Sequence, residues 1–182
     1  MLELSLNVLD IAQNSVVAGA TVVEIAVKEE IVANRLTLTI RDNGCGLSPE
    51  QLVRVRDPFF TIRTTRKVGM GIPLFRMAAE SAGGSFNIES EQGVGTTVTA
   101  VFELRHIDRM PLGNMVDTLA TLIRLNPHLD FVYHHTVDGE QFVFDTASLR
   151  PILGEVSLSE PDVMEWITAN LSEGVAALNS QA

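Results

Sequence analysis

An α/β (α+β) fold is predicted from two observations. Apolar residues recur at helical spacing in some segments and alternate in others. The order is helix, two strands, two helices, two strands, helix, two strands, helix, and glycine-bearing breaks separate most of the elements.

Residues 2–18 carry Leu2, Leu6, Leu9, Ala12 and Val16 at helical spacing, and Gly19 stops the run. Val22 to Lys28 alternates, with Val23, Ile25 and Val27 on one face. Arg35 to Arg41 does the same, with Leu36, Leu38 and Ile40 inward and Thr37 and Thr39 outward. Ser48-Pro49-Glu50 opens a short helix, Ser48 as N-cap and Pro49 at the first helical position. Residues 55–70 lack clean periodicity and read as a loop. A helix over Ile72 to Ala82 ends at Gly83-Gly84. Strands Ser85–Ser90 and Thr96–Leu104 flank the Gly93–Gly95 turn as a hairpin.

Beyond residue 105 the spacing predicts a helix over Met115 to Leu125 and a last helix over Pro161 to Leu171. Strands Phe131–Val137 and Gln141–Asp145 flank the turn signal Asp138-Gly139. His134 and His135 then point to opposite faces, one buried and one exposed. Trp166 is expected in the core and the tail from Ala177 frayed. The chain divides into a first segment, 1–105, and a C-terminal αββα extension, 106–182.

Thirteen Lys and Arg stand against 23 Asp and Glu, a net charge of −10. Nucleic-acid binding needs a basic face, so no nucleic-acid partner is expected. The small cluster Arg63, Arg66 and Lys67 suits a phosphate ligand instead. With Cys45 the only cysteine, a disulfide framework is excluded. No signal peptide or membrane-length apolar run is found, so the expected location is cytoplasmic, with no membrane partner.

Four motifs carry chemistry. Asp10 and Asn14 lie four apart on a helix and share a face. A carboxylate and an amide oxygen there suit Mg²⁺ whose other ligands are phosphates and water, and the carboxylate could orient water or accept a proton. Alone, they read as solvated polar positions on an amphipathic helix. Asp42-Asn-Gly44-Cys-Gly46 ends a buried-type strand. An ionised carboxylate there accepts from an exocyclic amine such as that of adenine, and the glycines allow close approach to a flat ring. Alone, it is ordinary turn chemistry. Gly69-Met-Gly71 precedes a helix whose N-terminus can bind an anion, with the basic run just upstream; alone it is a loop. Gly95-Thr96-Thr97 places a hydroxyl at a strand entrance, where threonine is also common for β-propensity alone.

In this order the four motifs resemble the GHKL superfamily of ATPases, which use the Bergerat ATP-binding fold. Asp57-Pro58-Phe59-Phe60-Thr61 resembles the F box of histidine kinases, and Thr64 to Ile72 resembles their short lid and second glycine box. Gly93 to Val98 resembles their third glycine box. Asn14-Ser15 followed by Ala18-Gly19-Ala20-Thr21 is closer to mismatch-repair ATPases.

The resemblance covers residues 1–105. It implies a two-layer sandwich, a mixed sheet with helices on one face, binding ATP and Mg²⁺. Asn14 would bind Mg²⁺ and Asp10 would be the catalytic carboxylate. Asp42 would contact the adenine amine, and Gly44 and Gly46 would line the base. Gly69, Gly71 and Lys67 would hold phosphates, with Thr96 or Thr97 beside the adenine. A protein phosphoacceptor or regulatory partner is expected. Three positions depart from the pattern: Asp10 where Glu is common, Val17 where mismatch-repair members are acidic, and Pro73 just after the second glycine box. His106 to Pro111 has the spacing of a kinase His box but lies in the wrong order, and reads as a strand end entering a linker.

Overall fold

The structure is a computed structural model describing residues 3–56 and 71–182. The F box, Lys67 and Gly69 lie outside the described residues.

Two long strands, β1 (Val22–Glu30) and β2 (Arg35–Asp42), pair antiparallel and form the middle of the fold. The hairpin β3 (Ser85–Glu91) and β4 (Gly95–Glu103) joins on the β2 side. On the other side β5 (Asp130–Val137) runs parallel to β1, and β6 (Glu140–Asp145) returns antiparallel to β5. The result is one mixed six-stranded sheet, ordered β3-β4-β2-β1-β5-β6. The strands over residues 106–182 thus extend the sheet built by the first segment.

Alternation decides the faces. Val23, Ile25, Val27, Leu36, Leu38, Ile40, Val98, Ala100 and Phe102 are all buried. Over them lie α1 (Leu4–Val17), α3 (Gly71–Ser81), α4 (Met115–Leu125) and α6 (Pro161–Ala176), with α1 packed between α3 and α4 and α4 against α6. Glu24, Ala26, Thr37, Thr39, Arg41, Thr97 and Thr99 occupy the opposite face and stay partly or fully exposed. This is the mixed sheet with helices on one face that the Bergerat fold requires.

Helix ends follow local chemistry. Gly19 takes φ +71° and ends α1. At α2 (Pro49–Arg56), Gln51 N–H donates to Ser48 Oγ at 3.2 Å while Ser48 N–H donates to Gln51 Oε1 at 2.9 Å, a reciprocal cap. Asp138 (φ +45°) and Gly139 (φ +96°) make the tight β5–β6 turn. A 3₁₀ turn at Thr146–Ser148 and a one-turn helix α5 (Arg150–Leu153) were not anticipated, being too short for a periodic signal.

Two expectations are corrected. Trp166 is 52 % exposed, because the buried stripe of α6 runs through Met164, Ile167 and Leu171 and leaves Trp166 off it. The tail is docked rather than frayed. Glu29, at the inward end of β1, is fully buried. It bonds His135 Nε2 at 2.9 Å and accepts from Ser180 Oγ at 2.6 Å and from Gln181 N–H at 2.8 Å. Burial acts to raise its pKa, but the bonds from His135, Ser180 and Gln181 outweigh this and hold the carboxyl below the usual carboxylate range. Tyr133 O–H completes the chain at 2.9 Å from His135 Nδ1. Hydroxyl, imidazole and carboxylate stand in the order of a nucleophile relay, but Tyr133, His135 and Glu29 are fully enclosed, so the arrangement is structural. His134 on the other face lies 3.4 Å from Glu24, as alternation requires.

Asn7 of α1 is 1 % exposed, and neither amide atom has a hydrogen-bond partner among the described residues. An unpaired buried amide costs about 1–3 kcal/mol. Asn7→Leu is therefore expected to raise the thermal midpoint by roughly 2–10 °C at this chain length. A lowered midpoint in a melting curve would show that the amide is used.

Candidate functional site

The end of α1, the loop after β2 and the β3–β4 turn are sewn together by backbone bonds. Cys45 N–H donates to Ala18 O at 2.9 Å, and Gly93 N–H donates to Cys45 O at 2.8 Å. Leu47 N–H donates to Ser90 Oγ at 2.8 Å. Asn43 anchors the loop from behind: its Oδ1 accepts from Thr21 N–H (2.9 Å) and Val22 N–H (3.0 Å), and its Nδ2 donates to Thr21 Oγ1 (2.8 Å).

Two glycines allow this closeness. Gly46 has φ +64°, and a Cβ there would overlap the Glu91 carbonyl. Gly95 has φ +141°, and a Cβ would overlap the Asp42 carbonyl. Gly44 is restricted by space alone: a methyl group would sit 2.9 Å from Ala18 Cβ.

Asp42 ends β2 opposite Thr96. Its carboxylate is fixed at both oxygens, Oδ2 accepting from Ser15 Oγ at 2.7 Å and Oδ1 from Gly44 N–H at 2.9 Å. Thr96 Oγ1 lies 2.8 Å from Ser90 Oγ. Asp42 and Thr96 share the parity of the helix-side residues of their strands. Thr97 has the other parity and sits across from Arg41 on the bare face. There it borders an open hollow of about 540 Å³ with Glu24, Arg41 and Glu89, whose lining Asp42 and Thr96 also reach. By strand parity Thr96, and not Thr97, shares the face of Asp42.

Asn14 is half-buried in the last turn of α1, immediately before the Ser15 that holds Asp42. Asp10 is exposed one turn earlier and meets the start of α3, where a Cβ at Gly71 would lie 3.0 Å from Asp10 Cβ. Gly71 is thus the first residue of α3, at a helix N-terminus suited to an anion. Among the described residues no group of three or more His, Cys, Asp or Glu could hold a metal ion. Asn14 offers a side-chain amide oxygen, a ligand type that Mg²⁺ takes together with phosphate oxygens and water. His106 lies in a turn, its Nδ1 accepting from Asp108 N–H at 3.1 Å.

Three residues of the cradle escaped the sequence reasoning: Ser15, Asn43 and Ser90. Asn43 had a signal, since asparagine in Asp-Asn-Gly commonly bonds backbone. Ser15 stands in the Asn14-Ser15 motif, but its bond to Asp42, like that of Ser90 to Leu47 N–H, acts across the fold and had no local signal.

Comparison with known proteins agrees with this geometry. Residues 1–106 match the family model described as histidine kinase-, DNA gyrase B-, and HSP90-like ATPase. A probable C4-dicarboxylate sensor kinase of Bacillus subtilis (strain 168) is 33% identical over 70 residues, covering 38% of this chain and 13% of that protein. A putative sensor protein of Shewanella frigidimarina (strain NCIMB 400) is 33% identical over 102 residues, covering 55% of this chain and 16% of that protein. The chain thus spans only a small part of the curated relatives it matches. The crystal structure of the N-terminal domain of a DNA repair protein superposes with a TM-score of 0.52 at 17% identity, covering 79% of this chain and 52% of that one, a likeness of fold. No described helix is long and apolar enough to cross a membrane. With more than half its length matched by the family model, the chain belongs to the histidine kinase-, DNA gyrase B-, and HSP90-like ATPases, the GHKL superfamily.

Proposed function

We propose that this chain binds Mg-ATP in the cytoplasm and transfers the γ-phosphoryl group to a separate signalling protein. The observation that carries the reading is the Asp42 carboxylate, locked by Ser15 and Gly44 N–H in a glycine-walled cradle. An acceptor so fixed suits an exocyclic amine of a flat base. Thr96 stands beside it, and Gly44 and Gly46 line the base. The same helical turn carries Ser15, which holds Asp42, and Asn14, which would take the metal. Gly71 opens α3 for the phosphates, and the family resemblance would add Lys67 and Gly69, which lie outside the described residues. Bound Mg-ATP supplies the transferable phosphoryl group. Asp10, exposed beside Gly71, would orient or deprotonate the attacking group. Catalysis then rests on positioning and charge neutralisation. The likeness to sensor proteins supports a protein phosphoacceptor, and the net charge of −10 argues against a nucleic-acid partner.

A second reading is an ATP-dependent conformational switch with slow hydrolysis. Its support is the fold shared with a DNA repair protein's N-terminal domain and the Asn14-Ser15 segment. A nucleotide-gated binding module without chemistry is the third.

Incubation with Mg²⁺ and γ-labelled ATP separates the readings. Label on a co-purified or co-encoded protein supports transfer, free phosphate supports the switch, and bound but intact ATP supports the third. Asn14→Ala is expected to abolish Mg²⁺-dependent ATP binding at an unchanged melting temperature. Wild-type Mg-ATP affinity in that variant would remove Asn14 from the metal.

A further inference from the structure

We infer that Ser15 is a positioning residue that sets base selectivity through Asp42. The inference rests on the adenine-cradle reading and deepens it.

Ser15 is 2 % exposed, in the last turn of α1, and its hydroxyl lies 2.7 Å from Asp42 Oδ2. The two residues are 27 positions apart and come from different layers. Asp42 Oδ1 already accepts from Gly44 N–H at 2.9 Å. A carboxylate has about four lone-pair sites. With one donor on each oxygen, the plane of the group is fixed and the remaining sites keep one direction. An acceptor so oriented selects a base that presents an amine and rejects one that presents a carbonyl oxygen at the same place. Without Ser15 the carboxylate keeps only the Gly44 bond. It can then turn about that single bond and offer its oxygens in more than one direction. The loss falls on selectivity more than on the fold, because Asn43 and the backbone bonds of Cys45 and Gly93 hold the loop independently.

The test measures ATP and GTP dissociation constants by calorimetry on the full chain, for the wild type, Ser15→Ala, Asp42→Ala and the double variant, with a melting curve for each. Ser15→Ala is expected to weaken ATP about tenfold. It should leave GTP nearly unchanged, so that the ATP-over-GTP ratio falls. In the Asp42→Ala background the same substitution should change nothing further, because the two act as one unit. Should Ser15→Ala not fold, Ser15→Cys keeps the side-chain shape with a weaker donor and should give an intermediate ratio. A ratio unchanged in the Ser15 variants, with or without a lower melting temperature, overturns the inference. An unchanged ratio in Asp42→Ala instead overturns the adenine-cradle reading itself.

Discussion

A chain cut after residue 106 is expected to lack a cooperative fold, although that fragment contains the whole matched family segment. The cut removes β5, which pairs with β1 from Val22 to Glu29. It removes α4 from the flank of α1, and the Pro111 and Leu112 carbonyls that accept from Leu4 and Ser5 N–H. It also takes His135, Ser180 and Gln181 from Glu29. Leaving a buried carboxylate without its hydrogen-bond partners costs about 1–3 kcal/mol or more. Each core side chain returned to water costs roughly 1.5–3 kcal/mol. Against a net stability of about 5–15 kcal/mol, two or three such losses suffice. Circular dichroism and a urea titration of residues 1–106 beside the full chain check this. A sharp transition in the fragment, together with nucleotide binding, would mean that residues 106–182 are an independent appendage.

Gly95→Ala is expected to be among the most damaging single substitutions at the site. The added Cβ would overlap the Asp42 carbonyl, which belongs to the neighbouring strand and cannot move without opening the β2–β4 ladder. The position also has φ +141°, so strain adds to the overlap. Overpacking alone costs about 1–3 kcal/mol, and an unfavourable backbone conformation adds a similar amount. Gly93→Ala, two residues earlier in the same turn, is the control. Its φ of +82° carries the conformational cost, but nothing lies within 4 Å of the added methyl. About 1–2 kcal/mol is expected there. Chemical denaturation of both variants tests the difference, and ATP affinity should follow it, because Gly95 adjoins Asp42. Equal losses would show that the close approach relaxes freely.

The elements were legible because each announces itself locally. Leu36, Leu38 and Ile40 alternate as read. A helix does follow from the spacing over residues 2–18, but its buried stripe runs through Leu4, Val8, Ile11 and Ala12 rather than through Leu6, which is 37 % exposed. Asp42, Gly44 and Gly46 were legible for the same reason, being a strand end followed by two breaks. The choice between Thr96 and Thr97 was also within reach. Val98, Ala100 and Phe102 are the large inward run, and counting back by two reaches Thr96. The rest was hidden by distance along the chain. Nothing near Ser15 indicates Asp42, and nothing near Glu29 indicates Ser180. Trp166 was misplaced because a large apolar side chain suggests a core, whereas the register of α6 decides which side it faces.

The parallel pairing of β1 with β5 has a consequence for how the chain folds. Ile31 N–H finds its acceptor on Asp138, 107 positions away, and the whole β1–β5 ladder has similar span. Contacts of that separation are slow to form because the loop must close before any of them is made. During synthesis β1 emerges early and waits, pairing only with β2 on one side. Its other edge carries Val23, Ile25 and Val27 beside unmatched backbone donors and acceptors until β5 is made. Such an edge is a template for pairing with another chain. High-level expression is therefore the condition under which this protein is most exposed to aggregation, and slower synthesis at lower temperature should raise the soluble fraction.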